Sequence, residues 1–111
     1  MGIQNWPGAM APYLCLPLEN LVQVPDSVPD GAAVIAEPLA AALRIQQQVR
    51  IEPSHNVLVL GAGTLGQLVA RTLSFRVDRF GVVARYPSQR HRLESNGIEW
   101  LTEELLLKMP H

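Results

Sequence analysis

A short apolar run followed at once by a glycine-rich turn constrains this chain more than any other feature. The run is NVLVL at residues 56–60, and GAGTLG follows at residues 61–66. A wholly apolar run of this length predicts a strand that is buried on both faces of a parallel sheet. The glycines then predict a tight turn from this strand into a helix.

The segment after the turn has the periodicity of an amphipathic helix over residues 65–75. Its predicted buried side consists of Leu65, Leu68, Val69 and Leu73. Its predicted outer side consists of Gln67, Arg71 and Ser74.

Strands and helices continue to alternate after residue 75. The pattern predicts a strand at 80–85, a helix at 89–95 that Asn96-Gly97 ends, a strand at 98–101, and a helix at 102–109 capped by Thr102. The order from residue 56 is therefore β-α-β-α-β-α. This order predicts an α/β fold with a partial Rossmann-like parallel sheet and right-handed crossovers.

Upstream of residue 25 the chain alternates loosely between apolar and polar residues. Pro12 and Pro17 interrupt this alternation, so residues 9–24 are predicted to form one or two short, edge-like strands. A turn follows at residues 25–31.

Residues 32–49 are Ala-rich and have a helical pattern. Pro38 lies inside this stretch and predicts a break near Glu37, with a second helix from Leu39. A loop is expected at residues 51–56 before the first strand.

The GxGxxG turn has a physical reason to bind a dinucleotide. Gly61 permits the tight turn, Gly63 lets a pyrophosphate approach the backbone, and Gly66 lets the helix pack close to the strand. Free amides at the helix start, at Thr64 and Leu65, face the phosphates with the positive end of the helix dipole. The alternative is a glycine-rich turn that binds nothing.

The residues at the end of the second predicted strand indicate which dinucleotide the turn would bind. An acidic residue about 20 positions after this motif usually accepts hydrogen bonds from the adenine ribose, but Arg85 stands nineteen positions after Gly66. Since arginine binds a 2′-phosphate and a carboxylate repels it, NADP(H) is predicted over NAD(H), with Arg90 adding charge and Tyr86 placed to lie against adenine. The alternative is a solvated Arg85 beside an exposed helix face that carries Arg90.

Composition and charge exclude several classes of function. The formal net charge is −1 with 9 Lys and Arg, so no nucleic-acid partner is expected. The one cysteine, Cys15, allows neither an internal disulfide nor a cysteine zinc cluster. The first residues lack the pattern of a signal peptide and no apolar run is as long as a membrane span, so a cytoplasmic protein without a membrane partner is expected.

Residues 8–43, GAMAPYLCLPLENLVQVPDSVPDGAAVIAEPLAAAL, resemble the segment that leads into the cofactor domain of medium-chain, zinc-type alcohol and polyol dehydrogenases. The resemblance continues through the glycine motif and covers nearly the whole chain. Its matching residues are Gly8, Ala11, Tyr13, Pro25, Asp26, Glu37, Pro38, Ala40, Val59, Gly61, Ala62, Gly63 and Gly66. Pro12 departs from the family pattern, which often has Glu at this place.

The resemblance implies hydride transfer between a small alcohol or polyol and a nicotinamide, assisted by zinc as a Lewis acid. It also implies that Glu37 lies close to the zinc, whereas the residue pattern alone favours a helix-end carboxylate bonded to backbone. The family's other zinc ligands, a Cys and a His-Glu pair, come from a barrel upstream of the matching region. This chain is therefore not expected to hold zinc by itself.

The resemblance also implies a division of the chain. Residues 1–50 correspond to the C-terminal remnant of a catalytic, chaperonin-10-like domain with its linking helix, and residues 51–111 to the N-terminal half of a Rossmann domain. The expected function is that of an oxidoreductase fragment that binds the adenosine-pyrophosphate part of NADP(H) without a complete active site. The alternatives are a non-catalytic nucleotide-binding or self-associating module, and a gene fragment without independent function.

Overall fold

A parallel sheet of three strands lies at the centre of the chain. The computed structural model describes residues 8–108, and the strands are β1 (Asn56–Leu60), β2 (Arg79–Val83) and β3 (Trp100–Leu101). They lie in the order β1-β2-β3, and both neighbouring pairs are parallel. The predicted α/β class with a partial Rossmann-like sheet is confirmed.

Helices connect the strands and precede them. They are α1 (Asp30–Ala33), α2 (Ala36–Gln48), α3 (Thr64–Leu73), α4 (Pro87–Glu94) and α5 (Glu103–Leu107), with a short 3-10 helix at Leu18–Asn20. From β1 onward the order is the predicted β-α-β-α-β-α. No helix within residues 8–108 is long and apolar enough to cross a membrane.

The core consists of two apolar clusters that helices close against the sheet. One combines Ala42 of α2 with Val69 and Leu73 of α3 and with Val77. The other consists of Ala62, Ala70, Val82, Ala84, Leu93 and Ile98. Burying a side chain such as Leu73 stabilises the fold by about 1.5–3 kcal/mol, so these clusters hold β1, β2 and their helices in place.

Helix α2 packs against α3 through a polar contact as well. Gln46 is buried, and its Nε2 donates a 2.6 Å hydrogen bond to Oγ1 of Thr72. Because a buried amide without a partner is costly, this bond favours one alignment of the two helices.

The strands predicted at residues 9–24 are wrong. The structure forms no strand between residues 8 and 24; apart from the 3-10 helix, this segment is irregular and almost wholly exposed. Alternating residues form a strand only beside a partner that accepts their backbone hydrogen bonds, and Pro12 and Pro17 have no amide to donate.

The helix break lies earlier than predicted. It falls at Val34 and Ile35, and α2 already begins at Ala36, so Pro38 occupies the first turn of α2. The first amides of a helix have no partner within the helix, so a proline there costs no hydrogen bond.

The prediction that β1 is buried on both faces is wrong. Val57 and Val59 face the core, but Leu58 and Leu60 on the other face are 41% and 73% exposed. An open cavity of about 1120 Å³ lies along this second face, where Leu58, Gly81, Leu101, Leu106 and Leu107 are among its lining residues. Helices α2 and α3 cover only the first face, and α5 is too short to cover the second.

The buried side of α3 matches the predicted one only in part. Val69 and Leu73 are buried as predicted, together with Ala70, whereas Leu65 is exposed. Gln67, predicted to face solvent, is half-buried because its side chain bonds to the backbone of the preceding turn.

The end of α4 and the start of α5 match their sequence signals. Gly97 has φ +68°, and the amide of Ile98 donates to the carbonyl of Leu93, so the predicted glycine stop is confirmed. Strand β3 is shorter than the predicted 98–101 because Ile98 belongs to this helix end. Thr102 caps α5 as predicted, accepting a 3.2 Å bond from the Leu105 amide.

Candidate functional site

The turn from β1 to α3 places two glycines where a side chain would be strained. Gly61 has φ +104°, a backbone conformation that residues with a Cβ rarely adopt. A Cβ on Gly66 would collide with the carbonyl oxygen of Gly61. The first turn of α3 therefore packs directly against the end of β1.

Gly63 lies immediately before α3 and is open to solvent. Its backbone is extended (φ −69°, ψ −175°), and nothing lies within 4 Å of the place a Cβ would take. Within residues 8–108, no side chain caps the start of α3, and Thr64 and Leu65 are exposed. The amides of this first turn thus face open space with the positive end of the helix dipole.

Gln67 anchors this turn, although its place in the sequence predicts an outer, solvent-facing residue. Its Nε2 donates a 2.8 Å hydrogen bond to the carbonyl of Ala62, and its amide donates to the carbonyl of Gly63. The available signal was a side-chain amide one turn into the helix, close enough to reach back to a loop carbonyl. Gln67 therefore holds the glycine turn in the shape that leaves its amides open.

Arg85 follows the carboxyl end of β2. This strand lies next to β1, which leads into the glycine turn. Leu60 of β1 pairs with Val83 of β2, and Val83 pairs with Leu101 of β3. Parallel strands lie about 4.8 Å apart, so the residues just after each strand share one edge of the sheet. The glycine turn, Arg85 and the first residues of α5 all belong to that carboxyl edge.

An ion pair links Arg85 to α5. Its Nη2 lies 3.3 Å from Oε2 of Glu103, and the two side chains are 69% and 67% exposed. Glu103 raises the pKa of the Arg85 guanidinium by its hydrogen bond and its charge, and Tyr86 adds to the rise. Arg85 is therefore both exposed and ion-paired, and its contact with Glu103 could not be predicted from spacing along the chain.

Arg90 contacts the backbone after β2, whereas the sequence predicts that it adds charge beside a phosphate or lies on an exposed helix face. Its Nε donates to the carbonyl of Ala84 (3.1 Å), and its Nη2 donates to the carbonyl of Arg85 (2.9 Å). Its guanidinium also lies 4.8 Å from the ring centre of Trp100, whose Nε1 donates to Glu94. Arg90 is half-buried and braces the turn after β2, and its contact with a phosphate stays a prediction.

Glu37 is exposed at the second residue of α2. Within residues 8–108, no group of three or more His, Cys, Asp or Glu side chains is arranged to hold a metal ion. A catalytic zinc needs about three protein ligands, so the described residues do not fit zinc. The role of Glu37 beside a metal stays a prediction.

Several known proteins similar to this chain are dehydrogenases. An L-threonine 3-dehydrogenase of Mesorhizobium japonicum is 40% identical over 75 residues, covering 65% of this chain and 22% of that protein. Those of Anaeromyxobacter sp. (strain K) and Idiomarina loihiensis are 31% and 34% identical over 87 residues, covering 78% of this chain and 22% of each protein. The chain thus spans about a fifth of the length of these relatives. No family model and no solved structure matches it.

Proposed function

Because this chain belongs to the medium-chain, zinc-type alcohol dehydrogenase superfamily, we propose that it binds the adenosine-pyrophosphate part of NADP(H) as a segment of an oxidoreductase. The observation that carries the proposal is the uncapped start of α3, which opens onto the space beside Gly63. The resemblance in residues 8–43 and the named relatives support the choice of a nicotinamide dinucleotide.

The amides of Thr64, Leu65 and Gly66 would hold the pyrophosphate. Such amides carry about half a positive charge together at a helix start, and no side chain within residues 8–108 supplies an acceptor for them there. Gly63 allows the phosphates to come within hydrogen-bond distance of the backbone. Gln67 keeps the turn open while the ligand binds.

Arg85 is the basis for proposing NADP(H) rather than NAD(H). Residues 84–90 contain neither Asp nor Glu, so the usual carboxylate for the ribose hydroxyls is missing from the end of β2. A planar guanidinium can form two charge-assisted bonds to a 2′-phosphate. Its exposure leaves it free to turn toward such a group.

The nicotinamide of the bound cofactor would accept or donate the hydride in the proposed reaction. The residues described above bind and orient the far, adenosine end of that cofactor, so we assign none of them to the chemical step. We propose a small alcohol or hydroxy-amino-acid substrate, in keeping with the names of the relatives. A cytoplasmic location is part of the same proposal.

The variant Gly63→Ala tests the proposal. The Gly63 backbone suits alanine and has room for a Cβ, so the fold should be kept while the methyl group blocks the phosphate. We expect the Kd for NADP⁺, measured by isothermal titration calorimetry, to rise by roughly tenfold or more, about 1.4 kcal/mol.

Gly31→Ala is the matched control, since Gly31 in α1 also has open space around it. Its Kd should equal that of the original chain. If Gly63→Ala binds NADP⁺ as tightly as Gly31→Ala, the glycine turn is not the binding site. If the original chain binds neither NADP⁺ nor NAD⁺, the proposed function is wrong.

The exposed apolar residues on the second face of the sheet favour one further candidate function, which is association with another protein surface. Leu58, Leu60 and the cavity beside them expose apolar surface that a monomer seldom leaves uncovered. We propose self-association through this face as the alternative function. A molecular mass that rises with concentration in light scattering, regardless of nucleotide, would support it.

A further inference from the structure

The carboxyl edge of the sheet contains a carboxylate as well as a guanidinium. Val83 pairs with Leu101 where β2 and β3 end, and Arg85 and Glu103 each come two residues after these ends. This register, together with the start of α5 after Thr102, brings Oε2 of Glu103 to 3.3 Å from Nη2 of Arg85. The two groups are 18 residues apart in the chain and meet only in the folded sheet.

These two groups favour different dinucleotides, the carboxylate NAD(H) and the guanidinium NADP(H). A carboxylate accepts hydrogen bonds from ribose hydroxyls and repels a 2′-phosphate, whereas a guanidinium binds that phosphate. The end of β2 lacks the carboxylate, but Glu103 supplies one from the neighbouring strand's end. The edge is thus equipped for both NAD(H) and NADP(H).

We propose that Glu103 sets the cofactor preference of this site, competing with a 2′-phosphate for Arg85 and accepting a hydrogen bond from the ribose when that phosphate is missing. This inference rests on the proposed dinucleotide site. It assigns a specificity-determining role to a residue outside both the glycine motif and the end of β2.

The surroundings of Glu103 suit this role. The Thr102 cap accepts from the Leu105 amide and fixes the first turn of α5, which contains Glu103, while the Glu103 side chain is two-thirds exposed and free to accept another bond. A carboxylate has about four lone-pair directions, so Glu103 can accept from a ribose hydroxyl while it stays paired with Arg85. Because exposed ion pairs are weak, a 2′-phosphate with its larger charge can still displace Glu103.

The test compares Glu103→Gln with Glu104→Gln. Both variants remove one negative charge from exposed, neighbouring positions of α5, but Glu104 pairs with Lys108 rather than with Arg85. Kd values for NADP⁺ and NAD⁺ are measured by isothermal titration calorimetry at one low salt concentration. A thermal melt of each variant confirms that the fold is kept.

We expect Glu103→Gln to change the two Kd values in opposite directions. The Kd for NADP⁺ should fall by roughly threefold to tenfold because the competing charge is gone, and that for NAD⁺ should rise by roughly threefold because the ribose acceptor is weaker. In Glu104→Gln both Kd values should stay within about twofold of the original.

Equal effects of the two variants, or equal shifts for both dinucleotides in Glu103→Gln, would overturn the role of Glu103. The proposed function would survive these results, since the original chain would still bind NADP⁺. If the original chain binds neither dinucleotide, the proposed function itself fails and the inference fails with it.

Discussion

At the scale of single residues, Gly63 and Gly66 are glycines for different physical reasons. Gly66 lies against the carbonyl of Gly61, so its missing side chain lets α3 pack on the end of β1. Gly63 has open space beside it, so its missing side chain leaves room for something outside the chain. Gly66 therefore serves stability, and Gly63 has no such role in the folded chain.

This difference predicts how two identical substitutions change stability. Gly66→Ala forces a Cβ into backbone atoms that cannot turn away, and we expect it to lower the free energy of unfolding by about 2 kcal/mol or more. Gly63→Ala should change it by less than about 0.5 kcal/mol. Urea unfolding followed by circular dichroism measures both, and equal losses would contradict the assigned roles.

At the scale of secondary structure, α5 depends on one side chain at its start. The helix has five residues, and Thr102 Oγ1 accepts the amide of Leu105. So short a helix has few internal hydrogen bonds to offset the loss of chain entropy. The cap is thus a large part of what holds α5, and with α5 the position of Glu103.

Removing this cap should loosen α5. We expect Thr102→Ala to lower the free energy of unfolding by about 1 kcal/mol, measured by urea unfolding. Thr102→Ser keeps the hydroxyl and should retain most of that stability. A Thr102→Ser variant as unstable as Thr102→Ala would show that the hydrogen bond is not the cause.

Elements with a local cause could be predicted from the sequence, and those that depend on a partner could not. The bounds of β1 and the stop at Gly97 follow from apolar runs and glycine conformations that act within a few residues. Residues 9–24 have strand-like alternation, but the described part of the chain places no strand beside them and they form none.

The candidate site divides in the same way. The glycine turn and Arg85 could be found by spacing along the chain. Glu103 could not, because the register of β2 with β3 decides which residue reaches Arg85. The contacts of Arg90 with the carbonyls of Ala84 and Arg85 likewise depend on how α4 lies across the strand end.

At the scale of the whole molecule, helices within residues 8–108 cover one face of the sheet and leave apolar residues of the other face exposed. The core clusters lie on the side of α2 and α3 or beside α4, and the second face carries Leu58, Leu60 and an open cavity. Burying apolar surface of this kind against another surface removes it from water and lowers the free energy of the system.

We therefore expect the chain to associate as its concentration rises, and Leu60→Gln to weaken that association. The control is Phe75→Gln, since Phe75 is 86% exposed but follows α3 and lies outside the strands, whereas Leu60 belongs to β1. Sedimentation velocity at several concentrations measures the effect. A larger loss of association in Phe75→Gln would place the contact elsewhere.

The pairing of β3 with β2 covers only two residues, whereas β1 pairs with β2 over five. Short pairings open at a lower free energy than long ones, so we expect β3 to open more readily than β1, an opening that would keep the glycine turn intact. When β3 opens, Glu103 would move away from Arg85. The site would then alternate between a state in which Arg85 is paired with Glu103 and a state in which it is not. The cofactor preference of this edge would then be a time average over two states, weighted by the lifetime of one short strand.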